Sequence, residues 1–288
     1  MVTPTSVNTR TATFDDRQKL ASLIHFEVHV HRHLDYRPPL DWVGERPFQI
    51  LQKQEEIVAA LACPPDPPNI AWVRMFACNQ HFSVRTAWEV LWDSAYKELL
   101  ENWEVAIAAA IPMQNWFRTL LESSRFEETH RIILLAWDGR ELLEENKQPE
   151  IKIRAMTLND LKVIKSIDDT SFVPVWQNSQ SYLELAFRQA AIATLAEYHG
   201  KIAGYQISTA TPMGGHLARL AVHPQMQKRG IGSALLRDVL QHFRQRGART
   251  ITVNTQDDNQ ASFRLYQKAG FEPTGEEYPI YQLEIERT

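Results

Sequence analysis

Apolar residues in the second half of the chain follow the periods of strands and helices in alternation. Residues 217–222 form a short apolar run typical of a buried strand, and Pro224 ends it by removing a backbone donor. Over residues 231–243 the apolar side chains recur at helical spacing, and Gly247 is a natural helix stop. An alternating run over residues 251–254 predicts the next strand. This order predicts an α/β architecture in which short turns link strands to amphipathic helices.

The turn between the first of these strands and its helix contains glycine and positive charge. It spans residues 227–232 and reads Gln-Lys-Arg-Gly-Ile-Gly, with the helix predicted to begin near Gly230. The first amides of a helix have no partner within the helix and lie at the positive end of its dipole, so they attract anions. Gly230 and Gly232 let the backbone approach a ligand closely, and Lys228 and Arg229 add local positive charge. The turn therefore predicts a phosphate cradle, although a Gly-x-Gly turn by itself is more often an ordinary turn.

A second, shorter helix is predicted after the 251–254 strand. Asn259 is a good N-cap for it, and Gly270 is a good C-cap. The helix carries Tyr266, which on an isolated amphipathic helix would more often pack in a core than react. Its interpretation therefore depends on the neighbouring phosphate turn.

Composition and charge exclude several classes of function. The chain of 288 residues is long for one domain and sufficient for two, and 44% of its residues are hydrophobic. The net charge of -4 provides no global field for nucleic acid or an anionic membrane, so any anion site must be local. The first ten residues have no apolar signal core and no run is long enough to span a bilayer, which predicts a cytoplasmic protein. Cys63 and Cys78 have neither metal-ligand nor redox spacing, so we expect two core thiols, no disulfide and no metal.

Sliding the chain along itself at an offset of about 145 residues reveals an internal repeat, which indicates duplication. The matching segments are 10–16 with 154–160, 56–60 with 201–205, and 72–77 with 217–222. Two domains of one fold are therefore predicted, over residues 1–147 and 148–288, with a charged linker at residues 138–150.

Two motifs in the second half together resemble the GNAT superfamily of acyl-CoA-dependent N-acyltransferases. The first is the turn at residues 227–232, which follows a strand ending in Val-His-Pro. The second is the superfamily pattern Asn-x-x-Ser-x-x-Leu-Tyr-x-x-x-Gly-Phe, matched by Asn259, Ser262, Leu265, Tyr266, Gly270 and Phe271. Both motifs occur in the order and at the spacing of the family, and the resemblance covers the chain from about Ile151 onward.

The resemblance implies a fold, a co-substrate and a role for each matched residue. Each domain would be an α/β (α+β) unit with a mixed, mostly antiparallel sheet flanked by helices, and acetyl-CoA would be bound without a metal. Tyr266 would be the catalytic acid that protonates the departing thiolate of CoA. The residues expected to bind acetyl-CoA are Leu220, Ala221, Val222, Gln227, Lys228, Arg229, Gly230, Ile231, Gly232, Asn259 and Ser262.

The implied activity is direct transfer of an acetyl group to a primary amine of a small molecule or a peptide N-terminus. Amides near Leu220 and Val222 would also hold the oxyanion. The tandem layout is similar to that of the mycothiol synthases, but a shared layout does not carry a substrate. Alternatives are a non-catalytic acyl-CoA sensor and a protein-interaction module centred on the first domain. A homodimer is possible, and neither nucleic acid nor a membrane is expected as a partner.

The first domain is predicted to be a degenerate copy without the CoA loop. At the repeat offset, Phe82, Arg85 and Ala87 stand opposite the glutamine and the two glycines of the phosphate turn. Leu121 stands opposite Tyr266. Side chains would therefore lie where phosphate oxygens should sit, and the acid would be missing.

The sequence leaves the general base open. The strand before the phosphate turn contains no carboxylate, so the candidates are Glu197 on a neighbouring predicted strand, His216, and a water-mediated path. Either side chain is more often structural than catalytic. Arg219 is a candidate for an acidic acceptor, but its counterpart Arg74 in the degenerate copy favours a structural role.

Acceptor contacts are expected on the segment from Asp168 to Gln189, which the family varies freely. Its aromatic residues would line an apolar pocket or pack as a helix face. They are Phe172, Trp176, Tyr182 and Phe187.

Overall fold

The computed structural model describes residues 7–139, 149–211 and 214–286. The chain divides into two compact units, the first made of Met1–Thr129 and Pro279–Thr288 and the second of His130–Tyr278. In both units helices flank sheets of mixed, mostly antiparallel strands, which confirms the predicted fold class.

The first unit contains ten helices and strands before its C-terminal segment in the part of the chain that is described. They are β1 (Val7–Thr11), α1 (Arg17–Phe26), β2 (His29–Arg32), β3 (Phe48–Lys53), β4 (Glu56–Ala62), β5 (Ile70–Trp72), β6 (Met75–Cys78), α2 (Val84–Asn102), β7 (Ile107–Ala110) and α3 (Asn115–Ser123). Five strands form an antiparallel sheet of order β1-β3-β4-β6-β2. Strand β5 pairs in parallel with β7.

The helices and strands of the second unit differ in order from those of the first, since a second helix follows its first helix where the first unit has strand β2. They are β8 (Glu127–Trp137), β9 (Ile151–Ala155), α4 (Leu161–Ser171), α5 (Gln180–Gln189), β10 (Ile192–Tyr198), β11 (Lys201–Thr211), β12 (Gly214–Val222), α6 (Ile231–Gln245), β13 (Thr250–Gln256), α7 (Gln260–Lys268) and β14 (Glu272–Glu284). The sheet order here is β8-β13-β12-β11-β10-β9. Only β12 and β13 among these described neighbours run in parallel.

Each unit has its own apolar core beneath its long helix. In the first unit α2 contributes Trp88 and Trp92, whose rings stack with centroids 5.7 Å apart. In the second unit α6 contributes Leu236, Leu240 and Phe243, which pack against β12 and β13. Burial of each such side chain stabilises the fold by about 1.5–3 kcal/mol relative to exposure.

The two units repeat each other in backbone detail. The hairpin β3–β4 pairs Lys53 with Glu56, and the hairpin β10–β11 pairs Tyr198 with Lys201, at an offset of 145 in both positions. A register shift follows at the corresponding place in each hairpin. This agreement supports the duplication predicted from the sequence.

An arginine–aspartate pair begins the first helix of each unit. Arg10 contacts Asp16 at 2.7 Å, and Arg154 contacts Asp160 at 2.8 Å. Each aspartate also accepts a hydrogen bond from a backbone amide three residues earlier, in a capping box. The arginine hydrogen bonds hold the pKa of both aspartates well below its ordinary value, so both remain charged at neutral pH.

The compact units differ from the predicted division at residue 147 because they exchange their last strands. Ile132–Trp137 of β8 pairs with β13 in the second unit, and Tyr281–Glu284 of β14 pairs with β7 in the first. The predicted linker over 138–150 begins directly after β8, and its residues 140–148 lie outside the described part. Among the described residues, no helix is both long enough and apolar enough to cross a membrane.

Candidate active site

Strand β12 separates from β13 halfway along its length. The two strands pair in parallel along Gly214–Leu217, and both continue beyond that point unpaired to each other. On its other side β12 stays paired with β11, where a register shift between Ile207 and Ser208 makes Ala218 an extra residue. A bulge of this kind bends a strand and increases its twist, and here a gap opens between β12 and β13.

The backbone amides of Leu220 and Val222 point into this gap. Hydrogen-bonded and non-hydrogen-bonded pairs alternate along an antiparallel ladder, and the His223 amide donates to the Ala203 carbonyl at 2.9 Å. Ala221 is therefore the next residue bonded to β11, whereas Leu220 and Val222 direct their amides away from β11. An extended ligand in the gap would meet two aligned donors, as an added strand does.

The loop at residues 227–232 leads from the end of β12 into α6. Gly230 is the N-cap of α6 with φ of +81°, a conformation that glycine adopts without strain, and it supplies no side chain to cap the first turn. Lys228 also has a positive φ, of +61°. The Gln227 side-chain amide donates to the Val222 carbonyl at 3.1 Å, which ties the loop to the strand. This geometry leaves the first amides of α6 directed outward beside the gap, as an anion site requires.

The two residues that follow Gly230 anchor the loop by packing. Ile231 is buried together with Leu235 beneath the sheet. A Cβ atom at Gly232 would lie 3.3 Å from Leu265 and 3.8 Å from Val222, so glycine lets the first turn of α6 approach α7 closely. The sequence analysis predicted only a ligand-binding role for Gly232, and the structure adds this packing role. Arg229 extends over the Tyr198 ring, 5.4 Å from its centre, at the outer side of the loop.

A cavity of about 170 Å³ lies at the gap and contains several of the predicted site residues. It is lined by Ile132, Phe172, Trp176, Leu217, Ala218, Arg219, Leu220, Asn254, Thr255, Gln256, Asn259, Ser262 and Tyr266. The loop residues 227–232 are not among the lining residues, because the loop lies farther along β12. Ile132 in the middle of β8, and Thr255 and Gln256 at the end of β13, were not predicted from the sequence because no motif marks them.

Tyr266 lies on α7 with its side chain 4% exposed and lines the cavity. Its ring packs against Phe271 at a centroid distance of 5.8 Å. Burial raises the pKa of Tyr266, so the phenol keeps its proton at neutral pH. A protonated hydroxyl that lines a cavity is suited to donate a proton and unsuited to accept one.

Asn259 and Ser262 line the cavity from the start of α7. The Asn259 side-chain oxygen accepts a hydrogen bond from the Ser262 amide at 3.1 Å, which confirms the predicted N-cap. Its side-chain amide donates to Gln256 at 3.3 Å. Asn259 therefore orients the first turn of α7 toward the cavity as well as facing it.

The cavity wall opposite α7 is held by a buried ion pair. Asp168 is fully buried and accepts two hydrogen bonds from the Arg219 guanidinium, at 2.9 and 2.6 Å, and one from the Tyr205 hydroxyl. The guanidinium carbon lies 3.5 Å from the centre of the Phe172 ring, and the guanidinium donates a hydrogen bond to the Trp176 carbonyl. Arg219 thus has a structural role in positioning this wall, and Tyr182 and Phe187 are not among the lining residues.

The two side chains considered as general bases are held elsewhere. Glu197 forms an ion pair with Arg154 at 2.7 Å. His216 contacts the Thr252 hydroxyl at 2.8 Å, and burial lowers its pKa. Neither lines the cavity, whose described lining contains no carboxylate and no imidazole.

The first unit departs from the second at the corresponding loop. Helix α2 begins five residues after β6, whereas α6 begins eight residues after β12, so the 145-residue offset fails here. The N-cap of α2 is Ser83, whose hydroxyl accepts a hydrogen bond from the Thr86 amide at 3.2 Å. Ser83, and not Arg85, therefore corresponds to Gly230 at the start of the helix. At the next helix the offset holds, because the Phe126 amide donates to Leu121 as Phe271 does to Tyr266. The fully buried Leu121 therefore stands in the position of the tyrosine.

The family comparison agrees with this geometry. Residues 161–271 match the model of the acetyltransferase (GNAT) family. This match lies within the second unit, and the chain has the fold of the GNAT acetyltransferases. The match includes α4, the loop at residues 227–232, strands β12 and β13, and α7.

Two curated bacterial proteins are similar to part of this chain. A Bacillus subtilis protein provisionally named a ribosomal protein bS18-alanine N-acetyltransferase is 25% identical over 123 residues, which cover 43% of this chain and 82% of that protein. The Escherichia coli K12 ribosomal protein bS18-alanine N-acetyltransferase is 32% identical over 73 residues, covering 25% of this chain. That second match spans about half, 49%, of the E. coli protein.

Solved structures share the fold over nearly the whole chain. A tandem GNAT protein from the clavulanic acid biosynthesis pathway aligns with a TM-score of 0.64 and 15% identity, covering 98% of this chain and 100% of that one. A GCN5-related N-acetyltransferase from Sphaerobacter thermophilus aligns with a TM-score of 0.61 and 16% identity, covering 98% and 96%. Identities this low establish the architecture and leave the substrate to other arguments.

Proposed function

We propose that the second unit transfers the acetyl group of acetyl-CoA directly to a primary amine. The observation that carries the proposal is the convergence of three features at one gap in the sheet. These are the outward amides of Leu220 and Val222, the glycine loop at residues 227–232, and the buried hydroxyl of Tyr266.

The groups along β12 suit the parts of acetyl-CoA in order. The amides of Leu220 and Val222 are placed to bond an extended amide-containing arm as an added strand would. The first amides of α6 are placed for the pyrophosphate, with Lys228 and Arg229 as nearby positive charges. Because the N-cap residue Gly230 has no side chain, this end of the helix is accessible to a ligand. These features support binding of acetyl-CoA along this gap, with its pyrophosphate at the start of α6.

The reaction proposed is a single displacement at the thioester carbonyl. The amine nitrogen forms a bond to the carbonyl carbon, the carbon–sulfur bond breaks, and the sulfur takes a proton from the Tyr266 hydroxyl. The Leu220 amide, next to the bulge, is placed to stabilise the negative oxygen of the tetrahedral intermediate. The proton lost by the amine replaces the one that the tyrosine gave up, so the charges balance.

Water is proposed to carry the proton from the amine. Among the described residues that line the cavity there is no carboxylate and no imidazole, and Glu197 and His216 are engaged by Arg154 and Thr252. The amine would therefore enter the cavity already neutral or lose its proton through solvent at the mouth.

The acceptor is proposed to be an amine on a small molecule or at a peptide N-terminus. The two curated relatives are named for acetylation of an alanine of ribosomal protein bS18, which supports the peptide class. Phe172 and Trp176 form an aromatic wall suited to an apolar side chain next to that amine. The acceptor screen should therefore begin with short peptides that have small apolar first residues.

Native mass spectrometry of the full chain with acetyl-CoA tests the proposal. We expect bound acetyl-CoA in the unchanged protein and none in Gly230→Arg, because arginine at a φ of +81° would be strained and would cover the helix amides. Lys268→Arg, on the exposed end of α7, is the matched control and should bind normally. Absence of binding in the unchanged protein would refute the proposal, and binding without acetyl transfer to any amine would favour a sensor.

A further inference from the structure

Strand β6 of the first unit is the structural equivalent of the outer half of β12. Ala60 of β4 corresponds to Tyr205 of β11 at the repeat offset of 145. Ala60 pairs with Ala77 and Tyr205 pairs with Ala221, so Ala77 corresponds to Ala221. The amide of Asn79 donates to Val58 at 2.8 Å, which places residues 77 and 79 in the hydrogen bonds to β4. Phe76 and Cys78 therefore direct their backbone groups to the opposite side, as Leu220 and Val222 do.

Strand β2 lies at that opposite side. It pairs antiparallel with β6, matching His31 to Phe76 and His29 to Cys78. The amide of His33 donates to the Arg74 carbonyl at 2.9 Å, so the pairs that contain His31 and His29 are the hydrogen-bonded ones. The backbone groups that the second unit directs into its gap are thus bonded, in the first unit, to the chain itself.

A side chain of β2 also packs against residues of the first unit that correspond to the cavity lining of the second unit. His31 is 4% exposed, its Nε2 contacts the Val73 carbonyl at 3.1 Å, and its ring stacks on Phe117 with centroids 4.0 Å apart. Phe117 stands at the helix position of Ser262, and Val73 at the position of Leu217. Both of these equivalents line the cavity of the second unit.

The second histidine of β2 repeats this arrangement one step along the strand. His29 packs edge-on against Trp116 at 5.2 Å, and Trp116 stands at the helix position of Ala261. Two aromatic residues on α3 thus replace two small residues on α7. The first turn of α2 is capped as well, because the Ser83 hydroxyl accepts a hydrogen bond from the Thr86 amide. In α6 the N-cap is Gly230, which has no side chain to accept such a bond.

We infer that strand β2 is a built-in replacement for the extended arm of an acyl-CoA, which closes the first unit to that ligand. The identity of the ligand rests on the proposed function. The claim that the first unit cannot bind it rests on the comparison of the two units. Each feature of the ligand site has an occupant from the chain. The backbone of β2 replaces the arm, His31 replaces the thioester, and Ser83 replaces an oxygen of the pyrophosphate. One acyl-CoA per chain follows.

Hydrogen exchange at single-amide resolution on the full chain, with and without acetyl-CoA, tests the inference. We expect the Phe76 and Cys78 amides to be protected without acetyl-CoA and unchanged by it. The Leu220 and Val222 amides should exchange at least tenfold more slowly once acetyl-CoA is added. Rapid exchange at Phe76 and Cys78, or protection gained there with acetyl-CoA, would overturn the inference. Protection at those two amides without any response at Leu220 and Val222 would support the closure and contradict the proposed function.

Discussion

At the residue scale, the chemistry depends on how burial changes individual groups. Burial keeps Tyr266 protonated, and the pairing with Asp168 keeps Arg219 in the cavity wall. Burial also makes Cys63 and Cys78 inert core thiols, raising the pKa of Cys78 to about 12. Residue type alone therefore did not separate the reactive side chains from the structural ones.

Replacing Tyr266 with phenylalanine should lower turnover by about a hundredfold or more, because the departing thiolate would lose its proton donor. Acetyl-CoA affinity should change little, since the ring still packs against Phe271. Release of CoA thiol measures turnover, and calorimetry measures affinity. Tyr278→Phe, which removes only a hydroxyl bonded to Glu276, is the matched control. Equal turnover in the Tyr266 variant would remove the residue from the mechanism.

Stability of the first unit should fall as the pH falls from about 6.5 to 4. Burial lowers the pKa of His31 to about 4, so the unfolded chain takes up the proton before the folded chain does. The free energy of unfolding should decrease by about 3 kcal/mol over that range from this group. Burial of His33, next to Arg74, acts in the same direction.

Urea unfolding across that pH range measures the effect. His31→Leu should lose much of the slope because it cannot take up a proton. His25→Leu, at an exposed imidazole, should keep it. An unchanged slope in the His31 variant would show that other groups cause the dependence.

At the element scale, the site arises where β12 leaves β13. The bulge at Ala218 opens the gap, and the close approach of α6 to α7 at Gly232 sets its far wall. The first unit has the same strands, but β2 fills the gap and aromatic residues on α3 fill the space. The difference between a site and a closed core is therefore one added strand and a few larger side chains.

Ser262→Phe should weaken acetyl-CoA binding about tenfold or more, because it places in the second unit the ring that fills the first. Gln267→Phe puts the same ring on the exposed face of α7 and should bind normally. Calorimetric titration with acetyl-CoA compares the two variants. Unchanged affinity in Ser262→Phe would mean that the cavity at α7 is not part of the binding site.

At the scale of the whole molecule, the two units exchange their last strands. Leu135 and Trp137 of β8 are buried in the core of the second unit, although the repeat assigns them to the first copy. Tyr281 and Ile285 are buried in the core of the first unit. Neither sequence half is thus a complete folding unit.

A fragment of residues 148–288 should therefore fail to fold cooperatively. It lacks Leu135 and Trp137, and loss of a core side chain of this size costs about 2–5 kcal/mol, against a total of about 5–15 kcal/mol for a domain. A fragment of residues 127–278 keeps both and is the matched comparison. Near-ultraviolet circular dichroism through a thermal ramp distinguishes them. A cooperative transition in the shorter fragment would show that β8 is dispensable.

Much of the site could be predicted from the sequence because its signals are local. Gly230 as an N-cap, Asn259 as a cap and Tyr266 on a short helix each follow from residues within a few positions of one another. The two-domain repeat was also visible, since duplication leaves matched residues at one offset. The two family motifs linked these local signals, because they occur in the order and at the spacing of the family.

The sequence by itself determined the elements, the repeat and the residues that can carry the chemistry, because propensity, capping and periodicity act over a few neighbouring residues. Only the tertiary structure decided that β2 pairs with β6, that β8 and β14 exchange units, and that Glu197 is held by Arg154. Strand pairing joins segments far apart in the chain, and the choice of partner depends on which edge and which cavity the rest of the fold leaves available.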